Sequence, residues 1–244
     1  LILIIFLLLC AACLPTGSPS SPRSGSGGFQ SASPTDNLLL SAENSYKQGQ
    51  FHAAAEYYKQ YLSAVPNPPN LESVLAAYAS ASEKIGHLND ASAAYERLIR
   101  EFPSGAQAKE ARPRLASVYL ASGDLKSAEG LAGTLIPSEK DPARLSRLRL
   151  TLAQSQWAQG RFAEACGNFL SALSGASGPA KQEAEEGVLA SLTRTDVAQI
   201  EEVQQQYGQR FPGPEATYIL TRKAVAAGNA ERTLALTEYS AKYF

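Results

Sequence analysis

Few residues of this 244-residue chain have types and spacings that could support catalysis or metal binding. The two histidines, His52 and His87, have no partners at the ligand spacing of a metal site. Phosphate-binding loops, nucleophile elbows and zinc motifs do not occur in the sequence. Cys166 directly follows an alanine and is interpreted as a small packed residue, and the glutamate pairs at 185–186 and 201–202 as solvated helix faces. We therefore predict exposed histidines, no metal site, no cofactor and no enzymatic activity.

The overall composition is that of a folded, helix-rich protein without a nucleic-acid footprint. Apolar residues make up 44% of the chain and charged residues 18%, and alanine and leucine favour helices. The net charge is −1 and the sequence pI is about 6.2, so nothing indicates a basic surface for nucleic acid. The sequence contains no methionine, and we expect its natural start to lie upstream.

One cysteine near the start has a spacing that predicts covalent modification. Residues 1–9 are the apolar run LILIIFLLL, and Cys10-Ala11-Ala12-Cys13 follows. An apolar run that ends in small residues is typical of a secretory signal. Ala-Ala-Cys resembles a lipobox, which implies a signal peptide over residues 1–13 and acylation of Cys13. A membrane-spanning helix is the alternative, although the 14 residues before Pro15 are fewer than the roughly 20 that a span needs.

The segment that follows this signal lacks the composition of a folded domain. Residues 14–36 contain seven serines, four prolines and four glycines. Such a composition buries too little apolar surface to fold and predicts a disordered tether. Leu14, rather than aspartate, follows the lipobox cysteine, and in lipoproteins this favours the outer membrane.

A fixed spacing of glycines dominates the remainder of the chain. Gly49, Gly86, Gly123 and Gly160 lie 37 residues apart, and Gly228 lies 68 residues further on. Small residues lie seven positions before these four glycines and alanines five positions after: Ala42, Ala79, Ala116 and Ala153, and then Ala54, Ala91, Ala128 and Ala165. Nine positions after each glycine stand Tyr58, Tyr95, Ala132 and Phe169. The pattern resembles the tetratricopeptide repeat, clearly over residues 37–174 and in degenerate form over 180–244.

This resemblance implies an all-α, tetratricopeptide-type solenoid of about six antiparallel helical hairpins over residues 37–244. Glycine ends each first helix because it adopts left-handed backbone conformations cheaply. In the fifth hairpin Thr195 and Asp196 replace the glycine. Pro113 falls in a first helix, and we expect that helix to begin near Ala111, which would place proline in its first turn.

The resemblance also implies that partners bind a concave face made by the first helices. It assigns to that face the candidate partner-binding residues Tyr46, Lys47, Glu83, Lys84, Arg147, Gln154 and Trp157, together with Glu43, Leu120 and Leu150. Trp157 has two interpretations, because tryptophan is enriched at binding hot spots but also packs at this repeat position. The lysine and asparagine set that grips a peptide's terminal carboxylate is missing, so we do not expect a chaperone-tail receptor.

Two lipoprotein families combine these parts. Residues 200–239 resemble the repeats of penicillin-binding-protein activator lipoproteins, which stimulate peptidoglycan synthases and carry a periplasmic-binding-like domain after their repeats. The alternative is a scaffold for outer-membrane protein assembly or cell division. We therefore expect an outer-membrane lipoprotein that faces the periplasm and binds an envelope protein. We also expect the chain to be cut within a repeat at Phe244, with a ligand-binding domain after it.

Overall fold

The computed structural model describes Ser33–Phe244, which form one compact unit. This part of the chain contains twelve α-helices, one short 3-10 turn and no strand. The helices pair into six hairpins, which we call units 1 to 6: α1 (Pro34–Lys47) and α2 (Phe51–Ala64), α3 (Leu71–Lys84) and α4 (Leu88–Glu101), α5 (Ala106–Ser122) and α6 (Leu125–Leu135), α7 (Pro142–Ala158) and α8 (Phe162–Ala172), α9 (Gly178–Arg194) and α10 (Val197–Tyr207), and α11 (Gly213–Ala226) and α12 (Ala230–Tyr243). The predicted all-α solenoid of helical hairpins is confirmed. Residues 1–32, which include the predicted signal, Cys13 and most of the tether, lie outside the described residues.

The turn inside a hairpin is built in the same way in five of the six units. Its glycine has a positive φ, between 69° and 83°, a backbone conformation in which other residues are strained. The amide after the glycine donates a hydrogen bond to the carbonyl five residues earlier, as from Gln50 to Ser45 and from His87 to Ser82, both at 2.9 Å. This bond satisfies a carbonyl of the last helical turn. Unit 5 lacks the glycine, and there the side chain of Asp196 caps α10 instead, by accepting from the amide of Gln199.

The small residues of the repeat pattern lie where the helices approach most closely. All eight alanines at the two conserved positions around the turn are 0% exposed: Ala42, Ala54, Ala79, Ala91, Ala116, Ala128, Ala153 and Ala165. The aromatics nine residues after the glycine fill the space between hairpins, since Tyr58, Tyr95 and Phe169 are each at most 3% exposed. The repeat register predicted from the sequence is therefore the packing register.

Two predicted helix starts are wrong. Helix α1 begins at Pro34 rather than residue 37, because Ser33 and Asp36 form a capping box and proline is favoured in a first turn. Helix α5 begins at Ala106 rather than near Ala111, which leaves Pro113 in the helix interior. An interior proline costs about 3 kcal/mol of helix stability. The early start persists because the residues that it adds pack on unit 2, where Ala108 is fully buried.

The hairpins stack into two layers of different spacing. The backbones of consecutive first helices from α3 to α11 approach one another directly, whereas no comparable approach joins consecutive second helices in the described part. Ion pairs that involve long side chains span the wider outer layer, among them Lys59–Asp90 and Arg161–Glu129. Because elements on the inner side of a curved stack lie closer together, the first helices form the inner, concave layer.

Adjacent first helices are also shifted along their axes. Side-chain contacts across this layer join residues 34 positions apart, in the pairs Tyr46–Ser80, Ser80–Arg114, Glu110–Arg144 and Ser117–Thr151. The turn glycines of the same units are 37 positions apart. The difference of three residues is about one helical turn. A residue on one first helix therefore contacts the next first helix about one turn before the residue that holds the same repeat position. Consecutive first helices therefore run parallel with a constant offset.

Candidate partner-binding groove

The surface of the first helices contains two depressions, which together we call the inner groove. The first has a volume of about 260 Å³ and lies between α1, α3 and α5. The second has a volume of about 410 Å³ and lies between α5, α7 and the start of α9. Ligand pockets in proteins commonly have volumes of about 300–1,000 Å³, so the second depression is large enough for several residues of a partner.

A hydrogen-bonded network closes the first depression. The Tyr46 hydroxyl lies 2.8 Å from Ser80 Oγ, and Arg114 Nη2 donates to Ser80 Oγ at 3.1 Å. Arg114 Nη2 also lies 2.8 Å from Glu83 Oε2, which accepts from the Tyr95 hydroxyl at 2.8 Å. Burial, followed by the charge of Glu83, raises the pKa of Tyr95 above its usual range. Tyr46 and Glu83, two predicted binding residues, therefore already have partners within the protein.

The predicted lysines lie beside the turns rather than inside a depression. Lys47 and Lys84 stand two positions before their turn glycines and are both exposed. The Lys84 ammonium lies 4.8 Å from the centre of the Phe51 ring, where a cation–π contact is favourable. Neither lysine lines the two depressions, so both sit at the rim, where side chains contribute less to affinity.

The second depression brings together four of the residues predicted for the concave face, Leu120, Arg147, Leu150 and Gln154. Arg147 is exposed, and within the described residues its guanidinium forms no ion pair. The Gln154 amide donates to Glu183, which reaches in from α9. The hydroxyls of Ser117 and Thr151 lie 3.4 Å apart on the floor. Leu150 lines the depression as predicted, but its side chain is only 5% exposed and most of it packs in the core.

Trp157 lies outside both depressions. Its ring makes an edge-on contact with Phe162 at 5.8 Å between centroids, and the Arg194 guanidinium lies 5.0 Å from its centre. The indole N–H is buried, and no residue between 33 and 244 accepts a hydrogen bond from it. These intramolecular contacts hold the Trp157 ring in place, and they agree with the packing interpretation.

The sequence missed the residues that complete the groove. Arg114 and Glu183 supply charge, and Ser117 and Thr151 supply hydroxyls. The 34-residue offset would have identified such pairs, since it joins Ser117 to Thr151. The glycine period of 37 residues does not reveal that offset.

The remaining candidates for chemistry are two exposed histidines and one buried cysteine. His52 and His87 are exposed and in mutual ring contact at 5.8 Å, and no group of three potential metal ligands occurs between residues 33 and 244. Cys166 is buried, and burial raises the pKa of its thiol to about 11. A thiol with a raised pKa is a poor nucleophile. No helix of residues 33–244 combines the length and apolar character of a membrane span.

Comparison with known proteins finds one matching family model and several similar solved structures. Residues 36–68 match the family model of the tetratricopeptide repeat. No curated protein matches the chain significantly. Similar solved structures include the MamA protein, with 19% identity, a TM-score of 0.49, and coverage of 86% of this chain and 94% of that one. A tetratricopeptide repeat protein from Parabacteroides merdae has 16% identity, a TM-score of 0.43, and coverage of 86% and 93%.

A third similar structure is a complex. It contains the TPR2AB domain of yeast Sti1 with pHSP90, and it has 14% identity, a TM-score of 0.38, and coverage of 84% of this chain and 89% of that one. The hairpin geometry and the matched repeat together define Ser33–Phe244 as a tetratricopeptide-type solenoid. Such a fold suggests a scaffold for protein–protein interaction.

Proposed function

We propose that the chain is a scaffold that binds a segment of a partner protein in the second depression of the inner groove. The observation that carries this proposal is the state of Arg147. Its neighbours Arg114 and Arg144 are neutralised by Glu83 and by Glu110, at 2.8 and 2.7 Å. Arg147 opens into the 410 Å³ depression, and no carboxylate of residues 33–244 forms an ion pair with it. An exposed guanidinium with five donors recognises a carboxylate of a partner.

The lining of this depression fits an extended polypeptide better than a compact apolar ligand. Hydroxyls from α5 and α7 and the loop at residues 175–177 surround Arg147, and Ala180 supplies a small apolar surface. Such groups hydrogen-bond to the backbone of a bound segment, while Arg147 selects an acidic side chain. Glu183 lies at the far side with the Gln154 amide, and it disfavours acidic residues there.

The finer proposal concerns where this scaffold acts. We propose that acylation of Cys13 holds it on the outer membrane, facing the periplasm, and that residues 14–33 tether the solenoid. A flexible segment of that length spans roughly 22–27 Å. The resemblance of residues 200–239 to activator lipoproteins supports a peptidoglycan synthase as the partner. Mass spectrometry of the mature N-terminus tests the anchor, and an unmodified N-terminus elsewhere would exclude it.

Site-specific crosslinking tests the partner and the groove together. A photoreactive residue in place of Ser177, which lines the depression, should crosslink a peptidoglycan synthase in the native cell envelope. The same residue in place of Arg100, exposed on second helix α4, is the control. Crosslinking of outer-membrane assembly or cell-division proteins would replace this partner with the alternative one. Equal crosslinking from both positions would exclude the groove.

A charge reversal tests the role of Arg147. Arg147→Glu should weaken binding of the identified partner about fivefold or more, the loss expected when a hot-spot residue is removed. Arg100→Glu makes the same change of charge on the outer layer and should leave binding unchanged. Unaltered affinity in Arg147→Glu, with intact folding by circular dichroism, would overturn the assignment.

A further inference from the structure

The two histidines of the chain meet at the edge of the solenoid where units 1 and 2 turn. His52 lies in the first turn of α2, and His87 is the residue that precedes α4, so each directly follows the turn of its hairpin. They are 35 residues apart in the sequence, which is not a metal-ligand spacing. The stacking of units 1 and 2 nevertheless brings their rings into contact, with 5.8 Å between ring centres.

This distance is close to that between two imidazoles bound to one metal ion. Imidazole nitrogens bind Zn²⁺ at about 2.0–2.1 Å, which places the centres of two tetrahedrally arranged rings about 5 Å apart. Both side chains are exposed, and exposed side chains change rotamer within nanoseconds. A small rotation of His52 and His87 therefore brings one nitrogen of each ring to a shared ion without movement of the backbone.

The hairpin turns fix the backbone of both histidines. The His87 amide donates to the Ser82 carbonyl at 2.9 Å, and the His87 carbonyl accepts from the Ala91 amide at 3.0 Å. Gly49, with a φ of 74°, builds the same turn before His52. Ligands on a backbone that is already in place lose less conformational freedom on binding than ligands on a flexible chain. The pair is therefore prearranged for chelation.

The ring nitrogens of this pair are available to a ligand. No residue between 33 and 244 forms a hydrogen bond or an ion pair with either imidazole, and the one contact of each ring is with the other. A neutral imidazole suits Zn²⁺, Cu²⁺ and Ni²⁺. The described residues offer no group of three potential ligands, so water would hold the remaining coordination positions.

One carboxylate adds to the attraction for a cation. Glu56 follows His52 by four positions, which places it one turn further along the same face of α2. Both residues line an open depression of about 660 Å³. Glu56 is exposed, and no cation of residues 33–244 forms an ion pair with it. Its negative charge favours a cation at the histidine pair without having to bind it directly.

We propose that His52 and His87 together bind one divalent transition-metal ion of the kind that prefers nitrogen ligands, such as Ni²⁺, Cu²⁺ or Zn²⁺. The ion joins the turn of unit 1 to the turn of unit 2. Mg²⁺ and Ca²⁺ do not belong to this class, because they prefer oxygen ligands. Because the unfolded chain does not hold the two imidazoles together, the bound ion also stabilises the folded state.

Calorimetric titration of the full chain with Ni²⁺ tests the proposal, since His52 and His87 are its only histidines. We expect one ion per chain and no comparable binding of Mg²⁺. His52→Gln and His87→Gln should each weaken Ni²⁺ binding about tenfold or more, because two linked ligands bind far better than one. Two ions per chain, or unchanged affinity in either variant, would overturn the proposal.

Three further variants and one spectrum sharpen this test. Asn89 lies three positions after its turn glycine, as His52 does, and Asn89→Ala is the matched control that should leave Ni²⁺ affinity unchanged. Glu56→Gln should weaken binding less than either histidine variant, and an equal loss would make it a third ligand and contradict the two-histidine assignment. Proton–nitrogen correlation spectra with Zn²⁺ should show both imidazoles shifting together up to one equivalent. A shift of only one ring would exclude the shared site.

Unfolding measures the link between the two units. Ni²⁺ should raise the urea midpoint of the unchanged protein but not that of His52→Gln or His87→Gln, while circular dichroism without metal is the same for all three. An equal rise in all three proteins would place the ion at other residues and overturn the proposal.

Discussion

Units 2 and 3 have the same turn and the same two buried alanines, yet their interiors differ. Nine positions after the turn glycine, unit 2 has Tyr95, whose ring is 1% exposed and whose hydroxyl donates to Glu83. Unit 3 has Ala132 there, on a second helix that also contains Gly130 and Gly133. The repeat register thus fixes the backbone of both hairpins, but it leaves the amount of buried apolar surface to the individual residues.

This difference divides the core. The buried side chains of units 1 and 2, with the near side of unit 3, form one large cluster, and those of units 4 to 6 form a second. Between them lies a small cluster of only Ala116, Ala132 and Leu148 among fully buried residues. Since apolar burial is the main stabilising contribution to folding, unit 3 is the weak link of the stack. The second depression of the inner groove lies over this link, between α5 and α7.

The largest loss of stability is expected from a change at Tyr95, the buried aromatic residue of unit 2. Tyr95→Ala removes a buried ring and should lower the free energy of unfolding by about 3–5 kcal/mol. Tyr95→Phe keeps the ring, loses only the bond to Glu83, and should cost about 1–2 kcal/mol. Urea unfolding followed by circular dichroism measures both. A cost below 1 kcal/mol for Tyr95→Ala would place the main stabilisation elsewhere.

Overpacking should distinguish the two units at one register position. Ala91→Phe in unit 2 should cost about 1–3 kcal/mol, because Ala91 is fully buried against the facing helix. Ala128→Phe is the equivalent change in unit 3 and should cost less, since Ala132 is much smaller than the equivalent Tyr95 and leaves room to relax. If the urea midpoint of unfolding is the same for Ala91→Phe as for the unchanged protein, the repeat register is incorrect. If Ala128→Phe costs more, unit 3 is not the looser hairpin.

High pH should weaken units 1 to 3, where burial raises the pKa of Tyr58, Tyr78, Tyr95 and Tyr119. Burial raises the pKa of Tyr58 and of Tyr78 from 10.0 to about 12. Their phenols therefore ionise first in the unfolded chain, so this stability is present below pH 10 and lost as pH rises toward 12. By pH 11 the loss should be about 1 kcal/mol for each tyrosine. Tyr78→Phe should reduce the difference between urea midpoints at pH 9 and pH 11, and an unchanged difference would contradict this assignment.

The smallest effect should strengthen the weak unit. Gly130 and Gly133 are exposed inside α6, and an added Cβ at either meets nothing within 4 Å. Replacing each by alanine should raise the free energy of unfolding by about 0.5–1 kcal/mol, because glycine disfavours helix interiors. Gly123→Ala is the control with the opposite sign, since its φ of +83° strains other residues. Loss of stability in Gly130→Ala would mean that α6 packs more tightly than we find.

The sequence predicts local features of this molecule better than contacts between units. Turn glycines and buried alanines follow from short-range geometry, and both were predicted correctly. The start of α5 was not predicted correctly. Ala108 is buried by packing on unit 2, and the sequence around Ala108 gives no signal of that contact. Among the candidate site residues, the partners of Glu83 and Trp157 belong to the next unit. The position of a residue in the repeat shows which face of the helix it occupies. It does not show whether an oppositely charged residue of the next unit already pairs with it.

Native-state hydrogen exchange tests the central claim, that the core is divided at unit 3, most directly. Local openings are governed by the buried contacts of each segment, so amides of different helices report separate free energies. We predict that amides of α6 exchange through an opening at least about 1 kcal/mol less costly than that of α4, which corresponds to a roughly fivefold faster rate. Gly130→Ala should narrow this gap. Equal protection of α4 and α6, at the free energy of global unfolding, would show a single continuous core and contradict the account.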